Sequence, residues 1–259
     1  MSAPRDQHFL VDQRAVEKIA GFVDVAGRRV LEIGPGEGVL TRALLDRGAN
    51  VIAVEIDPAL VEDLEATFAD EIEEGRLEII EGDAQKVDLP PFDIVVANLP
   101  YSVSSKITFR LLEIGFEVAV LMYQKEFAQR MIAPPGTSNV GRLSVMVQTY
   151  ASVKPLLELS PNAFHPKPQV WSWVVRLLPH EPPHPIADRK VYADAVRVLF
   201  SYRRKTVRKG LRSGKDTFPP EVIERAIADL PDDLLQRRPE DLTLEEFALI
   251  ANRLAGCRG

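Results

Sequence analysis

A chain of 259 residues, 46% hydrophobic and 27% charged, is long enough for one large core and a smaller second unit. Its single cysteine, Cys257, excludes a disulfide framework and a cysteine-based zinc cluster, which fits a reducing cytoplasm. No apolar run reaches membrane-spanning length, and the first residues, "MSAPRDQHFLVDQ", lack a signal-peptide core. The net charge of -6 runs against a nucleic-acid partner, which usually selects basic proteins.

Short apolar runs rich in β-formers alternate with helical segments from about residue 28 to 132. "RVLEIG", "NVIAVEID", "RLEIIEGDA", "FDIVVANLP" and "EVAVLMYQ" read as strands. Between them, "VLTRALLDRG", "PALVEDLEATFADEIEEG" and "SSKITFRLLEIG" read as helices, the second beginning at Pro58. Such alternation predicts an α/β fold with a mostly parallel sheet covered on both faces. After a helix at "GRLSVMVQTYA", the runs "VKPLLELS" and "VWSWVVRLLP" can pair as an antiparallel edge hairpin. Trp171 and Trp173 read as edge-strand packing. The proline-dense "PHEPPHP" reads as a linker, so a domain over 1–180 and a small helical domain over 181–259 are expected. In the tail, Thr243 and Glu246 form a capping-box pattern before "FALIANRLAG".

The first strand runs into Glu32-Ile33-Gly34-Pro35-Gly36-Glu37-Gly38. Gly34 and Gly36 allow a sharp turn and close approach to a ligand. Taken alone, the loop reads equally well as a tight turn. A dinucleotide loop would place pyrophosphate at the following helix, but Glu37 stands in the way and the third glycine comes early. A positively charged ligand without phosphate is expected, and S-adenosylmethionine fits. Glu55, ending the second strand, can accept from both ribose hydroxyls. Asp83, after the third, can accept from an adenine amine. All lie at the carboxyl ends of strands, where open α/β sheets bind ligands.

The fourth strand ends in Asn98-Leu99-Pro100-Tyr101. An adenine amine is a poor nucleophile because its lone pair is delocalised into the ring. Two acceptors on its hydrogens, the Asn98 side-chain oxygen and the Leu99 carbonyl, would draw the nitrogen towards a tetrahedral shape. Pro100 stiffens the turn, and Tyr101 offers a stacking face. The alternative is a plain turn with a core tyrosine.

Together these segments, with Gln7-His8-Phe9-Leu10, "QKEFAQR" and "FHPKPQV", resemble the small-subunit ribosomal RNA adenine dimethyltransferases. These belong to the KsgA/Dim group of class I, Rossmann-like methyltransferases, and the short tail is archaeal in character. The resemblance implies that His8, Leu10, Gly34, Glu55, Asp83 and Asn98 surround the cofactor. It implies that Phe164 covers the target base opposite Tyr101. It further implies two adjacent dimethyladenosines in a hairpin loop near the 3′ end of the small-subunit RNA, formed late in subunit biogenesis. A monomer whose partner is the small subunit is expected, with no metal and no membrane. A large-subunit RNA adenine methyltransferase of the resistance type, a DNA adenine methyltransferase and a non-catalytic assembly factor are the competing readings.

An acidic protein still needs a grip on RNA. Residues 203–215 hold seven basic side chains and no acid. Read as one helix continuing the apolar positions Leu199, Val207 and Leu211, the run stacks Arg204, Arg208 and Arg212 on an exposed stripe flanked by Lys205 and Lys209. That stripe is the expected RNA-phosphate contact, against the plainer reading of a solvated basic face. His165, His180 and His184 carry no ligand pattern for a metal.

Overall fold

A computed structural model describes residues 8–257; Gln7 lies outside them. The chain divides into two compact units. One runs to Ala128 and resumes over Ser152–Pro179, and the other joins Gln129–Ala151 to the chain from His180 onward. The expected boundary at residue 180 therefore misses a segment.

In chain order the elements are β1 (Phe9–Leu10), α1 (Gln13–Ala20), β2 (Arg29–Ile33), α2 (Val39–Leu45), β3 (Asn50–Glu55), α3 (Pro58–Thr67), α4 (Ala69–Glu73) and β4 (Leu77–Glu81). There follow β5 (Ile94–Asn98), α5 (Ser104–Ile114), β6 (Val118–Gln124), α6 (Lys125–Met131), α7 (Arg142–Tyr150), β7 (Ala151–Leu159), β8 (Phe164–His165) and β9 (Ser172–Pro179). The remainder is helical: α8 (Arg189–Ser201), α9 (Val207–Ser213), α10 (Pro220–Ala228), α11 (Asp232–Gln236) and α12 (Leu244–Gly256).

Seven strands make one sheet in the order β4-β3-β2-β5-β6-β9-β7. Strands β2 to β6 run parallel, with Leu31 opposite Ile52 and Val95, and β9 joins β6 antiparallel. The chain order reverses between β2 and β5, which opens a crevice at the carboxyl ends of these strands. Val30, Leu31, Val51, Val54, Val95, Val96 and Val120 are buried, as expected for strands covered on both faces. Strand β7, which contains Pro155, lies at one edge, where proline is tolerated.

Two helices depart from their sequence pattern. The long helix from Pro58 breaks at Phe68, whose ring is buried and lies where a side chain on Gly38 would have to go. The basic run is not one helix either. α8 ends at Ser201, its cap Tyr202 leaves helical geometry, and Thr206 opens α9 separately. Arg204 and Lys205 therefore stand in the turn between the two helices, and only Arg208, Lys209 and Arg212 lie on α9.

In the second unit, α8, α10 and α12 surround a core of Val191, Leu199, Leu211, Ile223, Phe247 and Ile250. Val145 of α7 packs in this core, and the Thr149 hydroxyl bonds the buried Tyr192 phenol at 2.7 Å. These contacts draw 129–151 into the helical unit. The capping box forms as read: Thr243 N–H donates to Glu246 Oε2 at 2.8 Å, and Glu246 N–H donates to the Thr243 hydroxyl at 3.3 Å.

Candidate active site

A cavity of about 250 Å³ opens at the carboxyl ends of β2, β3 and β5. The glycine loop forms one wall. Gly34 has φ 69° and Gly36 φ 59°, backbone that an L side chain resists. The space left by the missing Gly36 side chain is taken by the chain itself: a Cβ there would lie 2.7 Å from the Phe9 ring. Gly36 thus admits β1 to the loop, where close approach of a ligand was expected.

Strand β1 is in place because it pairs with β8, Phe9 opposite His165 and Leu10 opposite Phe164. This two-stranded sheet joins two motifs more than 150 residues apart, and it brings His8 and Leu10 to the cavity wall.

Four acidic side chains line the cavity, those of Glu32, Glu37, Glu55 and Asp83, and among the described residues no Lys or Arg does. Glu37, Glu55 and Asp83 make that wall unfavourable to a phosphate and favourable to a cation. The two oxygens of Glu55 accept main-chain N–H groups: Gly36 at 3.2 Å on one, Ile56 at 2.8 Å and Asp57 at 3.1 Å on the other. These bonds aim the carboxylate and lock β3 to the glycine loop. Asp83 accepts from the Gln85 N–H at 2.9 Å, which holds its carboxyl below the usual range against the opposing effect of burial. A sulfonium- and ammonium-bearing nucleoside, S-adenosylmethionine, fits this donor set.

Glu32 is a cavity residue that sequence reading did not single out. It is 1% exposed and accepts from the Thr41 hydroxyl at 2.6 Å. Burial pushes its carboxyl up to about 8, the Thr41 bond opposes this, and the charge of Glu55 adds to it. An acid inside the apolar run Val30-Leu31-Glu32-Ile33 was the available signal.

Asn98, Leu99, Pro100 and Tyr101 line the opposite wall. The Asn98 side-chain N–H₂ donates to the His8 carbonyl at 3.0 Å. Its oxygen is thereby the end of the amide left to accept. The Ser104 hydroxyl at 3.0 Å and the Val103 N–H at 3.3 Å both donate to the Pro100 carbonyl and pin the turn. Behind it, the Thr108 hydroxyl donates to the Ser104 carbonyl at 2.7 Å and meets the buried Tyr123 phenol at 2.8 Å. The Tyr101 hydroxyl meets the Ser172 hydroxyl at 2.7 Å, and burial raises the Tyr101 pKa above its ordinary value. The phenol is neutral and serves as a structural tie. Ser172, at the head of β9, is a second residue missed from sequence.

Other expected site residues lie elsewhere. Phe164 is 1% exposed and belongs to the hydrophobic core, so its ring is not in the cavity wall. Its pairing with Leu10 turns it inward. On α9, Arg208 is paired with Asp232 at 2.5 Å, and both nitrogens of an Arg212 fork bond Glu224 at 2.8 and 2.7 Å. Lys205 donates to Ser213 at 2.8 Å. Among the described residues, Arg204, Lys205 and Lys209 are exposed and have no ion-pair partner, so the uniform cationic stripe reduces to these three charges.

The sequence model of the family described as "Ribosomal RNA adenine dimethylase" matches residues 5–252. A Methanospirillum hungatei protein named "Probable ribosomal RNA small subunit methyltransferase A" is 57% identical over 255 residues, covering 98% of this chain and 100% of the relative. A Halobacterium salinarum protein of the same name is 45% identical, covering 95% and 88%. Among solved structures, a dimethyladenosine transferase from Plasmodium falciparum aligns with a TM-score of 0.78 at 28% identity, over 97% of this chain and 98% of that one. The 23S rRNA methyltransferase ErmE aligns at 0.65 and 27% identity, over 95% and 99%. A family model matched over residues 5–252 and a relative 57% identical over nearly the whole chain, on the sheet and cavity described above, show that the chain belongs to the ribosomal RNA adenine dimethylase family.

Proposed function

We propose that this chain methylates the exocyclic N6 of two adjacent adenosines in a hairpin loop near the 3′ end of small-subunit ribosomal RNA, with S-adenosylmethionine as donor. It acts as a monomer in the cytoplasm on a late assembly form of the small subunit. The observation that carries this reading is the oriented Asn98 amide: its donor end is consumed by His8, so its oxygen faces a cavity that accepts a cation.

S-adenosylmethionine, when bound, supplies an electrophilic methyl group on a positively charged sulfur. Glu55 would hold its ribose and Asp83 its adenine, with Glu32 and Glu37 balancing its charge. The Asn98 oxygen and the Leu99 carbonyl accept the two hydrogens of the target amine, freeing the nitrogen lone pair for the methyl carbon. Positioning supplies most of the acceleration, since holding two reactants in line replaces a bimolecular encounter. A strong general base is unnecessary, because the amine proton becomes acidic only as the new N–C bond forms. Tyr101 gives the base a stacking face, and the Pro100 carbonyl, held by two donors, keeps the Leu99 carbonyl in place. Arg204 and Lys209 supply phosphate contacts that position the RNA without reading its sequence.

The test is mass spectrometry of RNA nucleosides after incubating undermethylated small subunits with the protein and labelled donor. Labelled dimethyladenosine in small-subunit RNA is expected, and its loss with Asn98→Ala. With large subunits incubated in a parallel reaction, label confined to large-subunit RNA, or none in either, would reject this reading in favour of the resistance-type enzyme or the non-catalytic assembly factor respectively.

A further inference from the structure

Trp171 does not pack an edge strand. It precedes β9 and is 49% exposed, with Val170 beside it 42% exposed. Among the described residues, no aromatic ring or cation stacks on its indole. Trp173, two positions on, is half-buried with Lys125 Nζ 5.7 Å from its ring centre. A large apolar surface left in water costs free energy that burial would recover, so an exposed tryptophan beside an active site asks for an occupant.

Topology puts Trp171 at the reacting end of the sheet. Strand β9 runs antiparallel to β6, so it begins where the parallel strands end: Ser172 lies opposite Gln124, the last residue of β6. Asn98, the last residue of β5, pairs with Met122 of the same strand. The Ser172 hydroxyl is 2.7 Å from the Tyr101 phenol. Trp171 is thus one residue, about 3.8 Å of backbone, from a side chain bonded to the proposed stacking tyrosine. Its position is firm, because the Trp171 carbonyl accepts the Lys125 N–H at 2.8 Å.

Charge identifies the occupant. From residue 159 to 180 the chain has no Asp or Glu but carries Lys167 and Arg176, with Lys167 exposed in the loop that leads to Trp171. The acids are concentrated elsewhere: residues 62–81 hold nine and a single base, Arg76. The loop that carries the exposed indole is itself acid-free and lysine-bearing, and the nearby Glu158 carboxylate is tied to Lys125 at 2.6 Å, which suits a polyanion carrying flat rings, single-stranded RNA.

We propose that Trp171 is a stacking platform for a nucleotide next to the target adenosine, holding the RNA strand open beside Tyr101. This rests on the reading of the site as an RNA adenine methyltransferase. Stacking of one base on an aromatic ring is worth about 1–3 kcal/mol, or about 5- to 150-fold in binding.

Steady-state methylation of undermethylated small subunits tests it with Trp171→Ala and Trp171→Phe. The alanine variant should raise KM for the subunit about 5- to 150-fold with a smaller change in kcat. Its affinity for S-adenosylmethionine and its Tm should match the parent, and phenylalanine should restore most of the loss. A second measurement does not depend on that truncation. The protein has two tryptophans, so Trp173→Phe leaves Trp171 as sole reporter, and its emission should change when protein-free small-subunit RNA binds by filter assay. Unchanged KM in Trp171→Ala overturns the assignment, as does bound RNA with unaltered emission. A KM effect on intact subunits without any emission change on bound RNA would place a ribosomal protein on Trp171 and also overturn it. A parent protein that methylates no RNA would instead defeat the underlying reading of the site.

Discussion

The side-chain nitrogen of Asn98 lies 3.0 Å from the main-chain oxygen of His8, a residue 90 positions earlier. One hydrogen bond thereby decides which end of the amide looks into the cavity. Asn98→Asp keeps the shape but sets a carboxylate oxygen against the His8 carbonyl, two acceptors with no proton between them. Turnover should fall at least about 100-fold, the scale seen when one preorganised polar group is removed. His8→Ala retains the carbonyl and should lose far less. Single-turnover methyl transfer distinguishes the two, and equal losses would detach Asn98 orientation from His8.

Glu32 makes cofactor binding sensitive to pH. Its carboxyl titrates at about 8 in the folded protein against an ordinary 4.5, chiefly through burial. The folded state therefore holds a proton that the unfolded chain has released. Stability from this group is complete below pH 4.5 and is lost as pH rises towards 8, by at most about 1.4 kcal/mol per pH unit. Glu32→Gln should flatten that decline in denaturant titrations. A cation in the cavity favours the ionised carboxylate, so S-adenosylmethionine should bind with proton release between about pH 6 and 8. Calorimetry in buffers of different ionisation enthalpy measures this release, which the glutamine variant should abolish.

Tyr101 and Ser172 form a tie that can be cut without removing the ring. Tyr101→Phe should lower stability by about 1 kcal/mol, the net worth of a hydrogen bond, and leave KM for RNA near the parent value. Tyr101→Ala should raise KM as the stacking face goes. A double-mutant cycle with Ser172→Ala should return a coupling of similar size, and a coupling of zero would show the 2.7 Å approach to be idle.

On α9 and the turn before it, ion pairing separates the arginines by availability. Arg204→Glu with Lys209→Glu should weaken RNA binding and flatten its log–log salt dependence by about 0.7–0.9 for each phosphate no longer neutralised. Glu224→Gln, which releases Arg212 from its fork, should do the opposite. Filter binding across a salt series reads both, with S-adenosylmethionine affinity unchanged throughout. Parent-like salt slopes would leave this surface without an RNA role.

The alternation of apolar strands with helices, the positions of Gly34, Glu55, Asp83 and Asn98 at strand ends, and the Thr243–Glu246 cap were legible in the sequence. Each depends on local chemistry: side-chain period, backbone freedom and hydrogen bonds between near neighbours. Tertiary structure alone decided what depends on residues far apart. The β1–β8 pairing that seats His8, fills the space at Gly36 with Phe9 and turns Phe164 into the core joins segments with no local signal for one another. The same holds for Glu32, whose raised pKa comes from burial, and for Ser172, an ordinary strand residue until Tyr101 reaches it. The basic run failed as a single helix because apolar spacing continues across Tyr202 while the backbone does not, and its free charge shrank because Asp232 and Glu224 fold back upon it. Charge is written in the sequence, but whether it faces solvent or a partner is settled only by packing.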